Sequence, residues 1–199
     1  SKRIHTGSRP ASQDVTRTAA AYQATVLKLA RRLMGGPCPA DTVHAIRTHC
    51  RRLQALLELC GDEERAVVMA ESVGRLSKLR ALQVFQQYLA KIDASQADVD
   101  TVEGWIATRD EKLRHTQVYH KIEQALWKHA IPTHTHLNHS SNQRLEVLRH
   151  MHEKNLSGLI SAASEKPRRT RLHALRLALK TIRYQTEWLP GRPGPKKAL

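Results

Sequence analysis

VHAIRTHCRRLQALLELC, residues 43–60, decides how the rest of this chain is read. On a helix at 100° per residue, Arg47, Arg51, Gln54, Ala55 and Glu58 fall within about 80° of His44. Val43, Ile46, Cys50, Leu53, Leu56, Leu57 and Cys60 take the opposite side. The segment is an amphipathic helix whose polar face carries a His-Arg-Arg row, one residue per turn. The pattern returns at residues 172–189, LHALRLALKTIRYQTEWL. His173, Arg176, Lys180 and Glu187 repeat His44, Arg47, Arg51 and Glu58 at one constant offset. Leu172, Leu175, Leu179, Ile182 and Leu189 repeat the apolar positions. Two helices with one cationic row point to an internal duplication.

The stretches VHxxRxxxRRL and LHxLRxALKxxRY resemble the paired signature of the CHAD domain, the conserved histidine α-helical domain. GRLSKLRALQVFQQYL, residues 74–89, is similar to the family's helix after the first motif. The resemblance implies an all-helical protein of two pseudo-symmetric halves with a basic surface that binds inorganic polyphosphate. In that pattern a further helix pair follows the second motif, whereas here the chain ends about ten residues after Leu189. The second half is thus expected to be shortened, either as a trimmed variant or with a second copy of the chain, a homodimer, over the exposed face. Ala81 and Gln83 stand where the family has acidic residues after Arg80, which is expected to leave the local surface more positive.

Composition agrees with helix. Gly and Pro are few and gather at breaks, while Ala, Leu, Gln, Arg and Lys fill the long runs. The expected fold is all-α, an antiparallel bundle of about six helices. Residues 1–11 read as a flexible basic arm. Residues 12–189 form the domain, with halves at about 12–92 and 97–189, and residues 190–199 form a basic tail. Helices are expected from Ser12 or Asp14 to about Leu33, then from Asp41, capping through its carboxylate, to Gly61. Others run from about Glu63 to Ile92, from about Ala97 to Ala130 as one long stretch, and from about Gln143 to Ala163. The last follows Lys166-Pro167, with Pro167 in its first turn.

The net charge is +15, and it runs the whole length. Residues 1–99 hold 15 Lys/Arg against 9 Asp/Glu, and residues 100–199 hold 18 against 9. Such an excess repels itself unless a polyanion neutralises it. No run of about 18 apolar residues is present to span a membrane. Cys38, Cys50 and Cys60 lack disulfide-framework spacing, so a cytoplasmic location is expected, and the polyphosphate binding that the resemblance implies would place the protein on polyphosphate granules.

The candidate polyphosphate-binding residues are His44, Arg47, Arg51, Arg52, His173, Arg176, Lys180 and Arg183, with Arg75, Lys78 and Arg80 as a second row. Polyphosphate offers a charge at each phosphate and no ring to stack on. Arg forks grip its oxygens and Lys supplies adaptable point charges. The two leading histidines fit two roles: phosphate donors, or a hydrogen-bonded pair across the pseudo-symmetry axis. His129, His134, His136 and His139 could offer nitrogen ligands to zinc, but no Cys or carboxylate lies close, and no metal or other cofactor is expected. Phosphate-binding P-loop, HExxH and GxSxG motifs are absent, as is the Glu-x-Glu-x-Lys pattern of triphosphate-tunnel phosphohydrolases, so no enzymatic activity is expected. Weak nonspecific nucleic-acid binding is the main rival, and a helical scaffold is another. Against the first, rings are few, with Phe85, Trp105 and Trp127 set among apolar neighbours.

Overall fold

The computed structural model describes residues 11–127 and 139–188. Seven helices occupy them: α1 (Ala11–Met34), α2 (Ala40–Cys60), α3 (Glu63–Lys91), α4 (Gln96–His115), α5 (Val118–Trp127), α6 (His139–Glu165) and α7 (Arg169–Thr186). No strand occurs among the described residues, so the fold is all-α, as expected. The basic arm through Pro10, the tail, and His129, His134 and His136 lie outside the described residues, as does the side chain of His139.

α2 is the centre. Its apolar positions Val43, Ile46, Cys50, Leu53, Leu56 and Leu57 are completely buried. α3 and α1 cover that stripe, and α4 and α5 close the bundle against α3 and α1. Leu33, Met69, Leu76, Leu79, Leu113, Ile122 and Leu126 fill the interior. The α6–α7 hairpin leans on α2, and Tyr184 and Trp188 carry the same core outward. Trp188 Nε1 donates to the Arg52 carbonyl at 3.0 Å.

The expected long helix from 97 to 130 is two helices. Val102, Asp110 and Leu113 line the buried side of α4, and continuing that stripe would bury Gln117, His120 and Gln124. Instead Gln117 takes φ 54°, and the chain restarts with Val118, Tyr119, Ile122 and Leu126 inward. Burial of that second stripe against α1 and α3 outweighs the strain at a non-glycine left-handed residue. Residues 97–127, expected in the second half, thus pack with α1–α3. The repeat itself joins other elements: α1–α2, shifted by the His44-to-His173 offset, falls on α6–α7.

Two helix starts differ from expectation. The N-cap of α2 is Pro39, and Asp41 lies inside the first turn with Oδ1 accepting from Thr42 N at 2.7 Å. α7 begins at Arg169, with Arg168 as N-cap and Pro167 just outside. The α2–α3 corner is as read. Gly61 (φ 79°) and Asp62 donate to the Glu58 and Leu57 carbonyls, and the Asp62 carboxylate caps α3 at Arg65 N.

Gln83 is also not a surface residue. It is buried, and Nε2 donates to the Cys38 carbonyl at 2.7 Å. The Cys38 thiol donates to Asp110 at 2.5 Å, and Arg114 pairs with Asp110 at 2.8 Å while donating to the Gly36 carbonyl. Burial and the neighbouring carboxylate push the Cys38 thiol up to about 12, so it stays a donor. This network straps the segment before α2 onto α3 and α4, which sets where α2 begins.

Gly61→Ala should lower unfolding free energy by about 1–2 kcal/mol, the cost of a Cβ in the left-handed region. Urea melts of the two proteins measure it; an unchanged midpoint would contradict the corner's role.

Candidate functional site: a cationic cleft over the first motif helix

Antiparallel pairing of α2 with α3, and α7 laid beside α2, leave an open cleft of about 890 Å³. Arg47 and Arg51 enter it from α2, Ser77 and Arg80 from α3, and His173 and Lys180 from α7. Each position follows from helical period. The apolar stripe of α2 must face α1 and α3, so the row one half-turn away is forced towards the cleft.

The charges crowd. A proton on His44 is disfavoured by partial burial and then by Arg80, Arg47, Lys180 and Arg51, so its pKa is lowered. Burial, Arg51 and Arg80 push Arg47 down likewise. Lys180 is lowered by burial and by Arg176, Arg51, Arg183 and Arg47. Residues far apart in sequence therefore share one positive field. Among the described residues, none of Arg47, Arg51, Arg80, Arg176 and Lys180 has a carboxylate partner. Their bonds are to neutral groups: Arg47 Nη2 to Ser77 Oγ at 3.1 Å, and Arg80 Nη1 to the Ala40 carbonyl at 3.2 Å. Arg47 Nε is buried without an acceptor.

The acids stand at the far end. Glu58 accepts from Gln54 at 2.8 Å and from Gln185 at 2.9 Å, and Glu187 pairs with Arg52 at 3.3 Å and Arg183 at 3.4 Å. Each carboxylate is thus held by one residue of its own helix and one of the other, which pins α7 to α2. These contacts sort the candidates. Arg52 turns away from the cleft: it donates to Tyr22 Oη at 3.0 Å and lies over the Tyr22 and Tyr184 rings. Arg183 is tied to Glu187 at the cluster's edge. Of the second row, Arg80 joins the cluster, Lys78 faces a groove between α3 and α4, and Arg75 is exposed outside the cleft.

Neither the His44 nor the His173 imidazole makes a hydrogen bond to a described residue, and His173 lines the exposed wall of the cleft. The imidazole pair across the axis does not form. The duplicated apolar faces differ as well. Val43 and Cys50 are completely buried, while their counterparts Leu172 and Leu179 are 49% and 50% exposed.

A family model, CHAD domain, matches residues 17–198. The chain belongs to the CHAD domain family. That family is associated with polyphosphate binding. No curated protein and no solved structure matches the chain. No described helix of this CHAD domain is long and apolar enough to cross a membrane, and no group of three metal-ligating side chains occurs among the described residues.

The depressed pKa of His44 has a signed consequence. Between its folded value and about 6.5, the unfolded chain binds the extra proton, so stability falls as pH drops through that window. His44→Gln should remove part of the slope between about pH 7 and 5. Urea midpoints across pH test it, and identical slopes in the two proteins would count against the crowding.

Proposed function

We propose that this CHAD domain is a non-enzymatic receptor for inorganic polyphosphate, held in the cleft by Arg47, Arg51, Arg80 and Lys180 and, at its exposed rim beside Lys180, by Arg176. His44 and His173 add contacts at the ends of the rows. The observation that carries the reading is a set of five clustered cations, drawn from three helices, none of which is paired with a carboxylate among the described residues. A protein that wanted these groups only for solubility would interleave them with acids, as the surface pair Arg31–Glu123 does at 2.6 Å.

The physical sequence is simple. Packing of α2 fixes the guanidinium groups before any ligand arrives, so little is spent on ordering them. A linear anion entering along the α2–α7 seam gives each cation an oxygen and removes the mutual repulsion. Arg forks take two oxygens, while Lys180 follows the chain as a point charge. His44, neutral in the free protein at neutral pH, becomes easier to protonate beside phosphate. Arg52 and Arg183 act further back by holding α7 through Glu187. The same affinity would carry the protein to polyphosphate granules.

Arg47→Glu with Arg176→Glu should weaken binding of long-chain polyphosphate by well over tenfold, since each charged hydrogen bond is worth about 1.5–3 kcal/mol. Lys112→Glu with Lys121→Glu, the same charge change on exposed parts of α4 and α5, should cost far less. Calorimetric titration gives both numbers, with circular dichroism to confirm intact helices. Equal losses would make the binding diffuse and sink the assignment to the cleft.

A further inference from the structure

The chain has one Phe, three Trp and four Tyr, and their placement is uneven. Tyr119, Tyr184 and Trp188 are buried, and Tyr22 packs on His49 and Trp188. Trp127 is exposed but lies under the Arg31 guanidinium, 4.4 Å from the ring centre. The three that remain, Phe85 (44% exposed), Tyr88 (55%) and Trp105 (53%), stand on α3 and α4. Phe85 and Trp105 have apolar neighbours in sequence, yet both are on the surface. Helical period allowed either side of α4 to be covered, and the buried stripe through Val102 and Leu113 leaves Trp105 outside it.

Phe85 and Trp105 share a groove of about 550 Å³ with Lys78, Arg109 and Lys112. Bonds from Gln86 to Glu103 at 2.9 Å and from Arg109 to the Arg75 carbonyl at 3.0 Å set α3 and α4 antiparallel. The rings therefore mark one end of the groove and Lys78 and Lys112 the other, seven residues on along each helix, or roughly 10 Å. Glu103 and Glu111 line the opposite side of α4, so the charge in the groove has a single sign. Lys78, Arg109 and Lys112 have no carboxylate partner among the described residues. Phe85 also lines the polyphosphate cleft together with Tyr88, so the ring ridge runs across α3 from one hollow to the other.

We propose that this ridge, Trp105, Phe85 and Tyr88 with Lys78, Arg109 and Lys112 beside it, is a second ligand site that binds single-stranded nucleic acid. Polyphosphate gains nothing from an aromatic surface, whereas each unpaired nucleotide offers one flat π face and one phosphate. Rings at one end of a groove and cations at the other meet both. Duplex hides its base faces in the stack and would find only the cations. The site is built from side chains that the polyphosphate row does not use, so the two anions can be held together, touching at Phe85 and Tyr88.

The test uses the whole chain with a short fluorescent oligouridylate, the matching oligothymidylate, an abasic strand of equal length, and long-chain polyphosphate. Trp105→Leu, whose ring lines the groove and not the polyphosphate cleft, should weaken at least one of the two base-bearing strands by about tenfold or more and leave polyphosphate affinity within about twofold. The abasic strand should bind the wild type as weakly as the base-bearing strands bind the variant. Trp105 is exposed; Lys78→Gln with Lys112→Gln gives a second route to the same loss if the ring variant is unstable. Four results would overturn the proposal. They are strand binding unchanged by the ring variant, equal binding of the abasic strand, loss of strand binding only with Arg47→Glu, and ring-dependent capture of an acidic amphipathic peptide without capture of either strand.

Discussion

Like charges held together by packing are the constraint on which this molecule turns. The apolar stripe of α2 is completely buried between α1 and α3, so Arg47 and Arg51 have nowhere to go but the cleft. α3 brings Arg80 to them and α7 brings Lys180, and burial together with these neighbouring cations lowers the pKa values of His44, Arg47 and Lys180. Burial of apolar side chains on the other side of the same helices supplies the stability that opposes this repulsion. The cleft is a site because the fold keeps it positive at a cost that an anion relieves.

The acidic residues of the two motif helices explain why the arrangement does not splay apart. Glu58 and Glu187 are each gripped from both helices, at the end away from the arginines. Carboxylates placed beside Arg51 or Lys180 would have stabilised the free protein and blocked the ligand. Their separation from the cluster lets one end of the α2–α7 seam act as a clasp and the other as a receptor. Arg52 belongs to the clasp, although it sits next to Arg51 in sequence, because adjacent helical residues point about 100° apart.

Much of this was legible beforehand, and the reasons are specific. The row on α2 and its copy on α7 follow from helical period, and Gly61-Asp62 announces its corner. The seven-helix count did not emerge, since Gln117 is an unusual residue for a left-handed break and only the change of buried stripe reveals it. Lys78 and Arg80 look alike in sequence, but two residues of helix send one to the α4 groove and the other to the cleft. The duplication also conceals a difference. Leu172 and Leu179 copy Val43 and Cys50, yet α2 is covered from two sides by α1 and α3 while these residues of α7 stand exposed. Exposure of Phe85, Tyr88 and Trp105 is likewise a tertiary fact, because apolar periodicity names a face without saying what lies against it.

The central claim is that a small, fixed set of cations shares one polyanion. The dependence of polyphosphate affinity on salt tests it most directly, because the slope of log K against log[salt] counts the phosphates neutralised. The five clustered cations, four lining the cleft and Arg176 at its rim, predict a slope of about −3.5, taking roughly 0.7 per contact as for a single strand. Arg51→Gln, which removes one of them, should make it shallower by about 0.7. A slope that is near zero, or that stays the same when Arg51 is neutralised, would contradict the account.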